Sequence, residues 1–235
     1  GVSANTITFG GGQTTAITLS GEPITLGAGG ITVNNSGQKV LAPITLNGNS
    51  KVTYGDAGGG QLVTLGAISG NFGMTFTIAA SVGNNSGHSI LVNSNCTYTG
   101  DTLLTSTVAD CTVELRAGIH NSLPATTVLT IAGGAGTGSG RTLSYQMNGK
   151  NQTFSGLTNV AATDRNQRIE NSGASATLTI SNTANYTFSG VIHDAAINLI
   201  KSGAGTQTLS GANVYTGTTT VNAGVLQAGT VASGK

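Results

Sequence analysis

This chain of 235 residues has no tryptophan, three prolines and two cysteines. Only 7% of its residues are charged, against about 25% in an ordinary globular domain. The basic residues are scattered singly and the net charge is +1, which excludes an electrostatic surface for nucleic acid. No apolar run approaches the ~20 residues of a membrane-spanning helix, so we expect no membrane insertion by this chain. The pattern of intrinsic disorder, high net charge with low hydrophobicity, is also missing.

Short β-prone runs fill the chain instead, separated by Gly, Asn-Gly and Asn-Ser turns. The spacing of roughly 8–12 residues is typical of an all-β fold, and no segment keeps an apolar period of 3.6 residues. Strands are predicted at 6–9, 16–19, 24–26, 31–34, 40–46, 51–54, 61–65, 74–79, 89–92, 113–115, 128–132, 142–147, 176–181, 186–189, 207–210, 218–222 and 225–228.

Residues 199–229 contain the most informative pattern, and part of it occurs twice. Asn95-Cys-Thr-Tyr-Thr-Gly-Asp-Thr102 echoes Asn213-Val-Tyr-Thr-Gly-Thr-Thr219 with one residue inserted. Each copy then returns to Leu-x-Ala-Gly, at 115–118 and 226–229. Repeated landmarks indicate stacked units that cannot bury their apolar faces alone. We therefore predict one solenoid domain over 1–235, with repeat-like units around 91–118 and 199–229.

Residues 201–226 follow K-x-G-x-G-x-x-x-L-S-G-x-N-x-Y-T-G-x-T-x-V-x-x-G-x-L at nearly every fixed position. This stretch resembles the passenger-associated transport repeat of bacterial autotransporters, also described as an autotransporter-associated β-strand repeat. Residues 143–157 and 187–192 are similar to other segments of such passengers. The resemblance implies a right-handed parallel β-helix that is secreted or displayed at the bacterial cell surface. The residues that carry the repeat signature are Asn95, Tyr98, Gly100, Lys201, Gly203, Gly205, Leu209, Gly211, Asn213, Tyr215, Gly217, Gly224 and Leu226.

The two cysteines, Cys96 and Cys111, lie where the first copy of the pattern departs from the second. A disulfide between them would close a loop and stabilise the folded state by about 3 kcal/mol in the chain-entropy model. A disulfide that clips a lengthened corner is therefore predicted, with two free buried thiols as the alternative. Two cysteines cannot form a four-ligand zinc site, and no histidine stands at a ligand spacing.

Candidate reactive groups are few. Asp164, Arg168 and Glu170 form the only local charged cluster, which is either a saccharide or cation site or a polar loop with paired charges. His193-Asp194 is half of an acid–base dyad without a nucleophile, and His88 and His120 stand in turns where we expect them to be solvated. Residues 133–140 are glycine-rich but lack the Gly-Lys-Ser/Thr ending of a phosphate loop. We predict no catalytic residue, no metal and no cofactor.

These features favour a non-enzymatic structural or adhesive solenoid, with a polysaccharide lyase or hydrolase, or a glycan-binding β-helix, as alternatives. The chain starts at Gly1 and its last strand runs almost to Lys235 without a polar cap. Since an uncapped stack leaves open strand edges, we expect a processed piece of a longer passenger or a chain that stacks head-to-tail into an extracellular fibre.

Overall fold

The computed structural model describes residues 1–11, 15–35, 37–55, 62–79, 87–107, 112–133, 142–160, 166–194 and 196–229. These residues form 24 β-strands, and every strand pair is parallel. No helix that could cross a membrane occurs within the described ranges. The chain is thus a parallel β-solenoid of about eight turns, as its sequence predicts.

Each turn runs through three faces, which we number in the order the chain visits them. Face 1 is one sheet made of β2 (Thr18–Leu19), β4 (Lys39–Val40), β7 (Leu62–Leu65), β10 (His88–Val92), β12 (Val113–Ala117), β14 (Thr142–Gln146), β17 (Asn166–Glu170) and β20 (Val191–Ile192).

Face 2 contains residues 24–26 of β3 (Ile24–Val33) together with β5 (Ile44–Leu46), β8 (Ile68–Ser69), β15 (Gln152–Phe154), β18 (Ala176–Ile180), β21 (Ile197–Lys201) and β23 (Thr219–Val221). Residues 95–98 and 121–123 bridge β8 and β15 without forming strands. Hydrogen bonds from Thr97 N to Ile68 O (2.8 Å), Cys96 N to Ser122 O (3.1 Å) and Asn121 N to Asn151 O (2.9 Å) make this face continuous.

Face 3 contains residues 31–33 of β3 and then β6 (Ser50–Tyr54), β9 (Met74–Ile78), β11 (Thr102–Ser106), β13 (Val128–Ala132), β16 (Gly156–Val160), β19 (Tyr186–Phe188), β22 (Thr206–Leu209) and β24 (Val225–Ala228). The first strand, β1 (Val2–Phe9), pairs along β3 and so extends both face 2 and face 3.

The strands form because apolar residues alternate with threonine. In β9 the buried side chains are Met74, Phe76 and Ile78, and the threonines between them point outward. β-Branched and aromatic residues fit a pleated surface with one buried side. Like residues stack in register, as Ile24, Ile44 and Ile68 do on face 2, so the core is a column of apolar layers about 4.8 Å apart.

Several strand boundaries differ from the prediction. The predicted strand 40–46 is two strands, β4 and β5, because the chain turns from face 1 to face 2 before Pro43, which has no N–H for a ladder. The predicted strands 24–26 and 31–34 are one bent strand, β3. Short strands such as β8 and β20 were missed because their alternation is brief, and β17 was missed because four of its five residues are polar.

Turn length varies mainly at one corner. Gln207 pairs with Leu226, 19 positions later, whereas Val113 pairs with Leu143, 30 positions later. Connections from face 3 to face 1 run from two residues, at 189–190, to nine, at 79–87. Those from face 2 to face 3 run only from one residue, at 155, to five, at 181–185, so the corner between faces 3 and 1 varies most in length.

Candidate functional site

Lys201, the first residue of the repeat signature, lies inside the coil and is fully buried. Its Nζ donates to the carbonyl oxygens of Ser202 (2.7 Å), Gly203 (2.8 Å) and Ala223 (3.3 Å). Because Ala223 belongs to the next turn, the ammonium group fastens two successive corners between faces 2 and 3. Burial lowers the pKa of Lys201, and no acidic side chain is among these partners. The signature lysine is thus an internal clamp.

Two glycines of the signature adopt the left-handed conformation beside this clamp. Gly203 has φ +80° and Gly224 has φ +66°, a region that residues with a Cβ seldom occupy. A Cβ on Gly224 would also fall onto the carbonyl oxygens of Gly203 and Gly205 in the turn before it. Gly224 is therefore required both by its backbone angle and by the close approach of successive turns.

Close approach alone explains the other glycines of the signature. A Cβ on Gly205, Gly211 or Gly217 would collide with the backbone carbonyl oxygen of Ala184, Gly190 or Ile197, respectively. Gly100, in the earlier copy, faces the backbone of residues 72–73 in the same manner. These contacts are between backbones, so no rotamer change could relieve them.

Asparagine and aspartate side chains replace backbone carbonyls at the corners. Asn213 Oδ1 accepts the Ile192 N–H (2.8 Å), and its Nδ2 donates to Gly211 O (3.0 Å). The same side-chain-to-backbone bond recurs along the coil, from Gly73 N to Asn49 (2.8 Å), Val128 N to Asp101 (3.2 Å), Thr177 N to Asn151 (2.8 Å), Thr206 N to Asn185 (2.8 Å) and Thr218 N to Asn198 (2.9 Å). Such bonds satisfy N–H groups that the ladder leaves unpaired where the chain bends. Asn95 also serves a corner, since its Nδ2 donates to the carbonyls of His120 and Asn121.

The two Tyr-Thr-Gly turns make the same kind of hydrogen bond but lie at different corners of the coil. Tyr98 bonds to Thr102 Oγ1 (2.5 Å) and Tyr215 bonds to Thr219 Oγ1 (2.9 Å), both four residues downstream. Tyr98 leads from face 2 into β11 of face 3, whereas Tyr215 leads from face 1 into β23 of face 2. The echo is therefore displaced by one face of the coil.

The ring and the hydroxyl of Tyr98 both lie inside the coil. Tyr98 is fully buried, and its hydroxyl continues through Thr102 to Thr127 Oγ1 (2.8 Å) inside the coil. Burial raises the pKa of Tyr98 well above its usual range. The last two apolar positions of the signature, Leu209 and Leu226, both pack on the core, Leu226 less completely.

Gln207 bridges a gap in the hydrogen-bond ladder of face 3. This residue was not identified from the sequence. Its buried side-chain amide accepts from Leu157 N (3.3 Å) and donates to Leu157 O (2.9 Å), 50 positions earlier in the chain. The ring of Tyr186, from the turn between them, lies against Gly156. The Gln207 amide thus supplies the hydrogen bonds that β16 does not receive from β19. A buried position that is polar in an otherwise apolar alternation is the signal that could have indicated it.

The predicted disulfide stays a prediction. No disulfide bond joins the described residues, and Cys111 lies outside them. Cys96 is a buried thiol in the face 2 stack, and burial raises its pKa to about 11. A thiol of this kind is unreactive at neutral pH.

The charged cluster of the sequence falls on a strand instead of a loop. Arg168 and Glu170 project from the outer side of β17 and form an ion pair of 3.2 Å, while Asp164 lies outside the described residues. The expectation of paired charges is confirmed, but the loop assignment is wrong for 166–170, because Gln167 and Ile169 point into the core. Within the described ranges, His, Cys, Asp and Glu form no group of three that could hold a metal ion.

The three histidines have different roles. His193 Nδ1 and Asp194 Oδ1 are 2.8 Å apart, and Asp194 Oδ2 accepts the Asn171 N–H (2.7 Å), so this carboxylate supports a corner. His120 is exposed and accepts the Asn151 N–H (2.9 Å). The expectation of a solvated turn is wrong for His88, which is buried in β10 edge-on to the Tyr54 ring (5.6 Å). Of the glycine-rich stretch 133–140, only residue 133 is described.

Comparison with known proteins places these observations in a family. The family model described as "Passenger-associated-transport-repeat" matches residues 199–228, which contain the Lys201 clamp. The chain is also 30% identical over 244 aligned residues to the "Adhesin BmaC autotransporter" of Brucella suis biovar 1 (strain 1330). The chain is of the autotransporter passenger type. That alignment covers 98% of this chain but only 6% of the adhesin, so this passenger segment spans a small part of the length of its relative. No solved structure matches the chain.

Proposed function

We propose that this chain is a non-enzymatic segment of an adhesive autotransporter passenger, secreted or displayed at the bacterial surface. One observation carries the proposal: the polar residues of the repeat signature are engaged in hydrogen bonds within and between turns of the coil. Lys201, Asn213 and Tyr215 bind backbone or side-chain groups of the coil itself. The name of the Brucella relative, an adhesin, supports the adhesive role. The coil is inferred to be right-handed, as parallel crossovers almost always are.

Surface display tests this function directly. The chain, fused to an unrelated autotransporter secretion barrel in a non-adherent bacterium, should become accessible to added protease and should increase attachment to host cells. The barrel without the chain is the control. Protease-accessible chain without any gain in attachment would contradict the adhesive role, and chain retained inside the cell would contradict the localisation.

We further propose that the ends of the stack pair with more turns, either of an adjoining passenger segment or of a second copy. Val221 stacks on Lys201 in the last described turn and is still 51% exposed. At the other end Val2 is 63% exposed, beside Ala4, Ile7 and Leu19. Apolar ends with unpaired parallel strands favour strand addition.

Concentration-dependent sedimentation tests the pairing of copies. The wild-type chain should form elongated oligomers as its concentration rises. Leu226→Lys, which puts an inward-pointing charge into the last strand, should remain monomeric. Gln227→Lys on the exposed side of β24 is the control and should still associate. Wild-type chain that stays monomeric at high concentration would rule out self-stacking and leave adjoining passenger turns as the partner.

A further inference from the structure

We propose that a groove at the corner between faces 2 and 3 binds a short neutral oligosaccharide. This inference rests on the proposed adhesive function and names a ligand class for it. The groove has a volume of about 530 Å³ and crosses successive turns of the coil from Asn49 to Thr130. Volumes of this order are typical of ligand sites.

Phe72 provides the apolar surface of the groove. All five phenylalanines are described; four of them are buried in the core, and Phe72 alone is partly exposed. Gly100 N donates to Phe72 O (3.2 Å) from the next turn, and Gly100 and Gly73 have no side chains that could cover the ring. Phe72 packs on the core with one part and lines the groove with another, and an exposed part of an aromatic ring can stack on the apolar C–H face of a sugar.

Asn49 and Asp101 provide oriented polar groups on either side of this ring. Asn49 Oδ1 accepts the Gly73 N–H, and Asp101 Oδ1 accepts the Val128 N–H. Each side chain is therefore held by one oxygen, which leaves Asn49 Nδ2 as a donor and Asp101 Oδ2 as an acceptor. The two residues align in register with Gly73 between them and are two turns apart, about 10 Å. That separation suits two linked sugar rings better than one.

Charge and backbone pairing favour a saccharide over other ligands. No basic residue lines the groove, and Asp101 is its only ionisable group, so an anionic polymer would be repelled. The groove crosses β9, β11 and β13, whose backbone groups already pair with one another. A peptide could therefore not add as a strand here, and hydrogen bonds must come from side chains such as Asn49, Asp101 and Thr75.

Isosteric substitutions test the groove without disturbing the coil. Asn49→Asp and Asp101→Asn keep the Oδ1 acceptor that supports the backbone but exchange donor for acceptor on the free side. Asn151→Asp is the matched control, because Asn151 Oδ1 makes the same kind of bond to Thr177 N outside the groove. Phe72→Leu keeps an apolar side chain on the core but removes the flat ring.

The probe is an array of immobilised neutral hexose and N-acetylhexosamine oligosaccharides, followed by titration with the best-bound one. We expect wild type and Asn151→Asp to bind it equally, and Asn49→Asp, Asp101→Asn and Phe72→Leu each to lose about tenfold in affinity at a temperature where all of them are folded. The two isosteric variants should also keep the wild-type melting temperature. If no oligosaccharide binds, or if all variants bind equally, the groove is not a saccharide site. Attachment in the display assay that survives such a result would leave the adhesive function standing.

Discussion

Individual residues of this chain act by replacing backbone partners. Lys201 donates to three carbonyls inside the coil, and Asn213 accepts the partly buried Ile192 N–H. An unmade hydrogen bond in a dry interior costs more than a made one contributes. The polar residues of the repeat that lie inside the coil are therefore structural requirements in a protein with few charged residues.

Lys201→Met should destabilise the C-terminal turns by about 2 kcal/mol, because three carbonyls lose their donor while the cost of burying the ammonium group is also removed. The measurement is denaturant unfolding with hydrogen exchange resolved along the chain. Lys39→Met, at an exposed position of β4, is the control and should have little effect. Equal or greater stability of Lys201→Met would show that the clamp does not stabilise the coil.

Cys96 should make stability depend on alkaline pH under reducing conditions. Its pKa is raised from 9.0 to about 11, so above pH 9 the unfolded state loses its proton while the folded state keeps it. Stability attributable to this thiol should therefore fall by about 1 kcal/mol between pH 8 and pH 10.

The contribution of the thiol to the pH dependence of stability is obtained by comparing wild type with Cys96→Ala over that pH range, since the other titrating groups are common to both. The difference in unfolding free energy between the two proteins should narrow as pH rises. A constant difference would contradict the buried thiol. A difference that becomes pH-dependent only after reduction would instead support the pairing with Cys111.

At the scale of elements, the strands are short and depend on the turn above and below. The ladder on face 3 is interrupted between β16 and β19, and Gln207 of β22 repairs it across one full turn. Parallel strands of two to five residues have little stability alone, so such repairs decide whether neighbouring turns unfold together.

Gln207→Met should leave the Leu157 N–H and C=O without partners in the core and destabilise the turns containing β16 and β22 by about 2 kcal/mol. Exchange of the Leu157 amide hydrogen should accelerate more than that of other buried amides. Gln227→Met, on the exposed side of β24, is the control. Unchanged protection of Leu157 would mean that the Gln207 amide is dispensable.

At the scale of the whole molecule, the solenoid is a one-dimensional stack in which each turn contacts mainly its neighbours, with Gln207 reaching one turn further. Inner turns such as that of β11 have two neighbours, and their inward-pointing apolar residues, such as Leu104, are fully buried. The turn of β23 and β24 has one described neighbour, and its residues are largely exposed. Stability should therefore be graded along the axis.

Hydrogen exchange of the wild-type chain at low concentration should be slowest in β9, β11 and β13 and at least about a hundredfold faster in β24. Raising the protein concentration should slow exchange in β24 if copies stack on this end, and leave β11 unchanged. Uniform protection from end to end would contradict independent turns and indicate a single cooperative unit.

Much of the fold was predictable, but less of the site. Where threonine alternates with apolar residues, as in β9, the pattern shows which side chains point inward. The all-β solenoid and most strands could therefore be inferred. β17 could not, because a polar sequence hides two inward positions, Gln167 and Ile169. His88 was misjudged since burial there depends on Tyr54 in another turn. The Phe72 groove needs residues from four turns, which no local pattern reveals.

The sequence by itself determined the low charge, the strand period, the glycine corners and the passenger-type repeat, since all of these are local properties of the chain. Only the tertiary structure decided which corner each motif occupies, that Lys201 points inward, and that Gln207 reaches Leu157. The physical reason is register: each turn stacks on residues 19 to 30 positions away, and that interval is set by corner lengths that vary from turn to turn. Partners across the stack therefore follow from the whole coil and not from any one repeat.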